Sequence, residues 1–332
     1  MTHSLARQFA RKCEKETAIS ARLYCLSVAR AANDRDAPFR LPNCEKSYIL
    51  LGHAMHYAMK HEPASSFASP QRRNGARMMV HDVDMRATGE ATSCGDFAEH
   101  LDLNPYRSTL FVGDIAGRGL AVGRAARALH AYVRSSLLSG MPLPECLRAC
   151  DDFFTRSIMC DEIPFASLFI AETDGSESKL RYASAGHEPG LLFSETGRHR
   201  HLDPTGPILG LRAMLPNSTF GERVVPVGRD ELLVIVTDGV TEARHPEGEG
   251  LVLFGSTGVV RAVRDARFNL HETAKAIHRA ALEHARGTLS DDASVVVSTV
   301  GGMRNKNAAT LNGRRYDSAG SLFWRAVAGM PA

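Results

Sequence analysis

Thr109-Leu-Phe-Val-Gly-Asp-Ile-Ala-Gly-Arg-Gly119 joins an apolar run to two closely spaced glycines through one acidic residue, Asp114. An alanine-rich helical pattern follows. The order predicts a strand that brings a carboxylate to the edge of a sheet, then a tight turn in which glycine tolerates positive φ. A carboxylate beside exposed backbone carbonyls can hold a hard cation, although an Asp in a turn usually has only a turn role.

The same arrangement recurs three more times along the chain. Asp96 precedes the central strand, Asp238 follows the apolar run 232–237, and Asp291 and Asp292 precede the run 294–300. Gathered carboxylates repel one another, and a pair of divalent cations would relieve that repulsion. Oxygen ligands favour Mg²⁺ or Mn²⁺ over zinc. Spacing alone leaves both the metal interpretation and the turn interpretation open.

Hydrophobic periodicity predicts strands alternating with helices around these aspartates. The expected strands cover residues 80–87, 108–112, 165–171, 179–184, 190–193, 232–236 and 294–300. Thr173-Asp-Gly175 is typical of a hairpin turn, and Asn269 with Glu272 resembles a capping box. Helices are expected from Leu120 onward, across residues 143–158 and after Asn269. Hairpins mixed with long helices favour an α+β fold with antiparallel sheets and helices outside.

Four short motifs occur in the order typical of one family. They are Gly113-Asp-Ile-Ala-Gly-Arg-Gly119, Tyr182-Ala-Ser-Ala-Gly-His-Glu-Pro189, Thr237-Asp-Gly-Val-Thr-Glu-Ala243 and Asp291-Asp-Ala-Ser294. Residues 78 to 300 therefore resemble the sporulation stage II protein E-like branch of the PPM-type (type 2C) metal-dependent protein serine/threonine phosphatases. The resemblance implies a β-sandwich of antiparallel sheets flanked by helices (α-β-β-α).

The resemblance also implies a two-ion site that holds Mn²⁺ or Mg²⁺. Asp114 matches the carboxylate that bridges the two ions, and the carbonyl of Ile115 would ligate the second ion. Asp238 and Asp291 match the remaining carboxylates of the first ion, and Asp96 matches a further acidic position. Between the adjacent aspartates, the family pattern favours Asp291 as the ligand and leaves Asp292 supporting.

The chain departs from the family pattern at three places. Cys94 replaces a glycine, Arg118 stands where His or Lys is usual, and Ala98-Glu-His100 replaces a common Tyr-Asp ending. None of these changes removes a predicted ligand. His187 has two open interpretations: a general acid that protonates the leaving alkoxide, or a structural residue that positions strands around the site.

The implied activity is hydrolysis of phosphoserine or phosphothreonine on a protein substrate. Kinship suggests an anti-sigma-factor antagonist in a bacterial partner-switching pathway. One alternative is a catalytically weak phosphatase fold that acts as an adaptor. A second is a nucleotide-binding strand-turn-helix, but the spacing of Gly117, Gly119 and Gly123 does not match a dinucleotide fingerprint. A zinc site at His199 and His201 lacks further ligands, and we expect a solvated loop there.

The motifs divide the chain into three parts. The pattern of residues 1–75 predicts two or three amphipathic helices and a Ser/Pro-rich linker. Residues 76–301 are expected to form the phosphatase domain. Residues 302–332 are expected to form a loose polar tail. The N-terminal helices either pack on the main domain or form a regulatory segment for a homodimer or an activating partner.

Composition narrows the remaining classes of function. A formal net charge of +3 over 332 residues gives no basic footprint for nucleic acid. The chain has 7 cysteines without zinc-site spacing, which is typical of reduced thiols. Its apolar runs are all shorter than the roughly 20 residues that cross a bilayer. We therefore expect a soluble cytoplasmic protein that binds neither nucleic acid nor membrane.

Overall fold

The computed structural model describes most of the segment that carries the motifs. The described residues are 79–88, 93–104, 107–174, 178–194, 196–215, 218–228, 231–246, 252–269, 272–300 and 321–324. The predicted N-terminal helices and linker of residues 1–75 lie outside the described residues. None of the described helices is long and apolar enough to cross a membrane.

The described residues form strands and helices that alternate along the chain. In chain order they are β1 (Met79–Arg86), β2 (Phe97–Asp102), β3 (Arg107–Ile115), α1 (Leu120–Leu138), α2 (Leu143–Ser157), β4 (Ala166–Asp174), β5 (Lys179–Ala185), β6 (Gly190–Phe193), β7 (His199–Leu202), β8 (Arg223–Pro226), β9 (Glu231–Val236), α3 (Asp238–Thr241), α4 (Gly255–Asp265), α5 (Thr273–His284), β10 (Ala293–Val300) and β11 (Ser321–Trp324). A short 3-10 helix, Arg212–Met214, lies between β7 and β8.

The strands form two sheets in which all neighbouring strands are antiparallel. The first sheet has the order β1-β10-β9-β6-β7, and the second has the order β11-β2-β3-β4-β5-β8. Strands β9 and β10 are central to the first sheet, and their apolar runs are buried on both faces. Such runs are typical of strands covered on both sides.

Two hydrophobic cores hold the sheets and helices together as layers. One core joins the two sheets and contains, for example, Leu110, Phe169 and Ile235. The other lies between the first sheet and helices α4 and α5. Helix α1 packs on β2 and β3, and α2 packs on β5. The order helix, sheet, sheet, helix confirms the predicted α+β sandwich.

Most predicted elements are present, including the hairpin formed by β4 and β5. The sequence pattern did not predict β2, β7 or β8, each of which carries charged or histidine side chains. His199 and His201 lie on the edge strand β7. The expected solvated loop is therefore wrong, because an edge strand accepts polar side chains on its exposed face.

Two further expectations differ from the structure. Helix α5 begins at Thr273 without a side-chain cap, and the Asn269 carbonyl accepts a hydrogen bond from the Thr273 hydroxyl at 2.6 Å. The N-cap residue of α5 is therefore Glu272 and not Asn269. Within the tail that was expected to be loose, Ser321–Trp324 pairs with the edge of β2. The rest of the tail lies outside the described residues.

Strand β2 is fastened to helix α1 by buried charges. The Glu99 side chain is 1% exposed and forms an ion pair with Arg134 of α1. Nε2 of His130, one helical turn earlier, lies 3.0 Å from the second Glu99 oxygen. Burying a carboxylate is costly unless charges or hydrogen bonds compensate it. This compensated carboxylate explains why β2 has a polar sequence inside the fold.

We expect Glu99→Gln to lower the free energy of unfolding by about 3 kcal/mol, because Arg134, whose side chain is only 15% exposed, would lose its charged partner. Urea unfolding measures the change. The control is Glu222→Gln, which breaks a more exposed pair with Arg181 and should cost less than about 1 kcal/mol. Equal effects of the two substitutions would contradict a special contribution from the buried pair.

Candidate metal and active site

The loop before β2 folds over the end of β3. Asp114 is the penultimate residue of β3, and the amide of Ile115 donates a hydrogen bond to the carbonyl of Gly95 at 3.3 Å. A Cβ at Gly95 would lie 2.6 Å from the Ile115 carbonyl oxygen and 3.3 Å from Asp114 Oδ1. Only glycine allows this approach, which places Asp96 beside Asp114.

Two hydroxyl groups hold the buried carboxylate of Asp96. Oδ2 accepts hydrogen bonds from Thr237 Oγ1 at 2.8 Å and from Ser294 Oγ at 2.6 Å. The amide of Ser294 in turn donates to Thr237 Oγ1. Oδ1 of Asp96 is buried and accepts no hydrogen bond from the described residues. Neither hydroxyl was predicted from the sequence, although Thr237 and Ser294 each lie within one of the four family motifs.

Asp238 and Asp291 meet where β9 ends and β10 begins. Asp238 is the first residue of α3, directly after β9 and Thr237. A Cβ on the next residue, Gly239, would collide with the carbonyl oxygen of Asp292. Glycine therefore permits the two chain segments to touch. The structure thus brings together all four aspartates that the sequence singled out.

Asp291 and Asp292, which are adjacent in sequence, make different contacts. Both carboxylate oxygens of Asp292 accept hydrogen bonds: Oδ1 from the amide and hydroxyl of Thr88, and Oδ2 from the amide of Gly95 at 2.9 Å. Asp292 therefore ties the end of β1 and the loop before β2 to β10. Asp291 is exposed, its Oδ1 accepts a hydrogen bond from the amide of Asp292 at 2.9 Å, and its charge repels those of Asp114 and Asp238. This geometry favours Asp291 as the ligand and Asp292 as the support.

Burial and mutual repulsion perturb the carboxyl groups. Burial raises the pKa of Asp96 to about 7 despite the opposing hydrogen bonds from Ser294 and Thr237. Burial, followed by the charges of Asp96 and Asp238, raises the pKa of Asp114 well above its ordinary value. The pKa of Asp238 rises to about 6 through burial and then through Asp291. Among the described residues, no Lys or Arg forms an ion pair with any of the four.

The donor set fits a hard divalent cation by its chemistry. It consists of oxygen atoms only, it carries uncompensated negative charge, and Asp96 Oδ1 is buried without a donor. Among the described residues, however, no three His, Cys, Asp or Glu side chains are arranged to hold an ion as they stand. A bound ion would therefore have to draw these carboxylates closer together.

Asp114 and Asp238 line a cleft together with His187, Ser167 and Ile208. Nδ1 of His187 lies 2.7 Å from the Ser167 hydroxyl, and Ser167 is paired directly with Asp114 across the β3–β4 ladder. Burial lowers the pKa of His187 to about 3, so the ring is neutral at neutral pH. This arrangement favours the structural interpretation of His187 over the general-acid one. Ser167 lies outside the four sequence motifs and was not predicted as a site residue.

Two of the three positions where the chain departs from the family pattern contact the backbone of the segments that carry Asp96 and Asp291. Arg118 donates from Nη2 to the carbonyl of Ser290 at 2.8 Å, so it links the turn after Asp114 to the loop that carries Asp291. The thiol of Cys94 is buried and lies 3.8 Å from the Asp96 carbonyl oxygen. Both residues contact the backbone of the site.

The nucleotide-binding alternative is not supported by the topology. Gly117 and Gly119 do adopt positive φ, at 123° and 93°, in a turn between β3 and α1. Dinucleotide sites, however, lie at the ends of parallel strands joined by crossover helices. Here β3 pairs antiparallel with both of its neighbours.

Comparisons with known proteins point to one family. The model of the stage II sporulation protein E (SpoIIE) family matches residues 104–301. Protein IcfG of Synechocystis sp. is 28% identical over 180 residues, covering 47% of this chain and 28% of that protein. Phosphoserine phosphatase RsbP of Bacillus subtilis is 21% identical over 177 residues, covering 52% of this chain and 43% of that protein. The chain thus spans less than half the length of either relative.

A solved structure shares the fold. It contains the PP2C phosphatase domain and a fragment of the regulatory domain of SpoIIE from Bacillus subtilis. The two chains superpose with a TM-score of 0.58 at 14% identity, over 68% of this chain and 64% of that one. At this level of identity, the likeness establishes the architecture and not the activity.

In EDTA, we expect the protein to lose stability as the pH rises from about 4 to about 7. The folded pKa values of Asp96 and Asp238, about 7 and about 6, exceed the ordinary value of 3.8. The folded state therefore keeps protons in this interval that the unfolded chain releases, and their stabilising contribution disappears as the pH rises through the folded pKa values.

Melting temperature against pH measures this effect. Asp238→Asn should flatten the slope and raise the melting temperature in EDTA near neutral pH, because it removes one repelling charge. Asp203→Asn, at an exposed position, is the matched control and should keep the wild-type slope. A melting temperature that rises over this interval would show that the carboxyls do not repel in the folded state.

Proposed function

The chain belongs to the stage II sporulation protein E (SpoIIE) family, and on that basis we propose that it is a metal-dependent protein serine/threonine phosphatase. The observation that carries the proposal is the convergence of four aspartates without a cationic partner among the described residues; Asp96 is buried, Asp114 and Asp238 are half-buried, and Asp291 is exposed. Two Mn²⁺ or Mg²⁺ ions would offset that charge. They would also activate water and neutralise phosphoryl oxygens.

Each residue has a task that follows from its place. Asp114, on the central strand β3, and the neighbouring carbonyl of Ile115 would supply oxygen ligands to the ions. Asp238 and Asp291 would add carboxylate ligands from the other sheet. Asp96 stands behind Asp114, with its orientation fixed by hydroxyl donors.

The substrate we propose is a phosphoserine or phosphothreonine on another protein. Ser167 and His187 line the cleft together with Asp114. An anti-sigma-factor antagonist in a bacterial partner-switching pathway is the substrate that family kinship suggests. The reaction would then take place in the cytoplasm.

We expect hydrolysis of p-nitrophenyl phosphate or a phosphoserine peptide with Mn²⁺ or Mg²⁺, and its loss in excess EDTA. Asp114→Asn and Asp238→Asn should each lower turnover by more than the roughly 10–100-fold that loss of an outer-shell partner costs. The loss follows because each change removes a charged ligand while the sheets stay intact. Steady-state kinetics with a Mn²⁺ titration makes the measurement.

Asp203→Asn is the matched control, because Asp203 is exposed and distant in sequence from every motif aspartate. It should keep wild-type activity. Turnover that persists in EDTA would exclude the two-ion mechanism. A wild-type protein that binds phosphopeptide without turnover would instead identify the adaptor alternative.

We also propose that residues 1–75 form a regulatory segment that self-associates or receives an activating partner. Its support is the Ser/Pro-rich linker that separates its apolar stripes from the motifs. A chain that begins at Arg77 should remain folded and keep basal Mn²⁺-dependent activity. It should lose the dimer, or the response to a partner, in light scattering or pull-down. Aggregation of the shortened chain would show that these helices belong to the phosphatase domain.

A further inference from the structure

Residues 206–212, which we name the cleft strap, run across one wall of the cleft. Ile208 lines the cleft directly. It also packs on Gly186, where a Cβ would lie only 2.7 Å from the Cβ of Ile208. Gly186 precedes His187, so the position of the strap determines the wall that His187 and Ile208 form together.

The sandwich holds the strap through backbone hydrogen bonds. The amide of Gly186 donates to the carbonyl of Gly206 at 3.2 Å. The amides of Leu209 and Ala166 each donate to the other's carbonyl, at 2.9 and 3.2 Å. These bonds secure the beginning and the middle of the strap to β5 and β4. These bonds do not involve residues 210–212, which form the end of the strap.

Helix α2 holds the end of the strap through Asp151, a carboxylate that is 3% exposed. Oδ1 of Asp151 accepts a hydrogen bond from the amide of Gly210 at 2.8 Å. Oδ2 accepts one from Arg212 Nε at 2.7 Å, and Arg212 Nη2 also reaches Asp152 at 2.6 Å. A buried carboxylate with both oxygens engaged by charge-assisted or backbone donors is a strong anchor.

The anchored end has little freedom to settle elsewhere. Gly210 has φ of +95°, a conformation that side chains rarely adopt. A Cβ there would also lie 3.1 Å from Phe154 of α2 and 3.1 Å from the Pro164 carbonyl oxygen. The strap thus turns sharply at Gly210, the residue whose amide donates to Asp151. Loss of the hydrogen bonds to Asp151 would therefore free the turn at Gly210 and also Ile208, which lies two residues earlier.

We propose that Asp151 and Arg212 act as a positioning clamp that holds the cleft strap in place and thereby sets how well the cleft binds its substrate. The kinetic consequence rests on the proposed phosphatase function, whereas the clamp itself does not. Neither residue touches the aspartates of the site, so the effect is on substrate binding and not on the reacting atoms.

Hydrogen–deuterium exchange of the full chain tests the clamp without any enzymatic activity. In Arg212→Met, amides of residues 206–212 should exchange about tenfold faster, the change expected for loss of one charge-assisted hydrogen bond. Exchange in β9, which lies in the other sheet, should stay at the wild-type rate. Arg200→Met is the matched control, because it breaks an ion pair with Glu231 in the other sheet. It should leave the strap unchanged.

Kinetics with p-nitrophenyl phosphate and Mn²⁺ tests the consequence. Arg212→Met should raise KM by about tenfold with little change in kcat, since displaced contacts weaken binding. A purely structural role would instead lower kcat through a smaller folded fraction and leave KM unchanged. Asp151→Asn should act in the same direction, because it replaces the carboxylate that faces Arg212.

The outcomes separate the two proposals. Unchanged strap exchange in Arg212→Met overturns the clamp, whatever the activity. Faster exchange with unchanged KM overturns its role in substrate binding. A wild-type protein that hydrolyses neither substrate with Mn²⁺ refutes the proposed function, while the exchange rates still decide the clamp. If Arg212→Met unfolds, Arg212→Lys replaces it, because lysine keeps the charge but loses the fork that reaches both aspartates.

Discussion

Repulsion among four clustered carboxylates is the constraint on which the rest of this structure depends. Asp96 and Asp114 come from the second sheet, at β2 and β3, whereas Asp238 and Asp291 come from the first sheet, at β9 and β10. The fold of the two sheets therefore holds these negatively charged side chains close together, although their mutual repulsion favours separation. Packing between the sheets, which buries a continuous apolar core, supplies the opposing free energy.

The polar contacts at the site act across the sheets and not within them. Thr237 and Ser294 belong to the first sheet's ends, yet their hydroxyls hold Asp96 of the second. Asp292 likewise reaches from β10 to the amide of Gly95. These contacts fix the relative position of the two sheets at the end where the carboxylates lie. Positions held in this way are suited to catalysis, because small displacements of reacting groups cost much of the rate.

The sequence predicted the parts of this arrangement that depend on local pattern. Apolar runs identified β9 and β10, and motif order identified the four aspartates and the family. Strand β2 escaped because Glu99 is polar in sequence and becomes buried only when Arg134 reaches it from α1. The support given by Ser294 to Asp96 joins residues 198 positions apart. Local periodicity carries no information about such contacts. The hydrogen bond from the Gly210 amide to Asp151 is a second example.

Both helices over the second sheet are fixed by buried carboxylates in addition to apolar packing. Glu99 fastens α1 to β2 three residues after Asp96, and Asp151 fastens α2 to the cleft strap. Buried ion pairs add little stability relative to apolar side chains of the same size, but they do specify one register where apolar surfaces would tolerate several. A helix that slid by one turn would leave an uncompensated charge behind. We therefore interpret these pairs as setting the register of the helical layer, and since α1 begins in the turn that follows Asp114, that register reaches the carboxylates themselves.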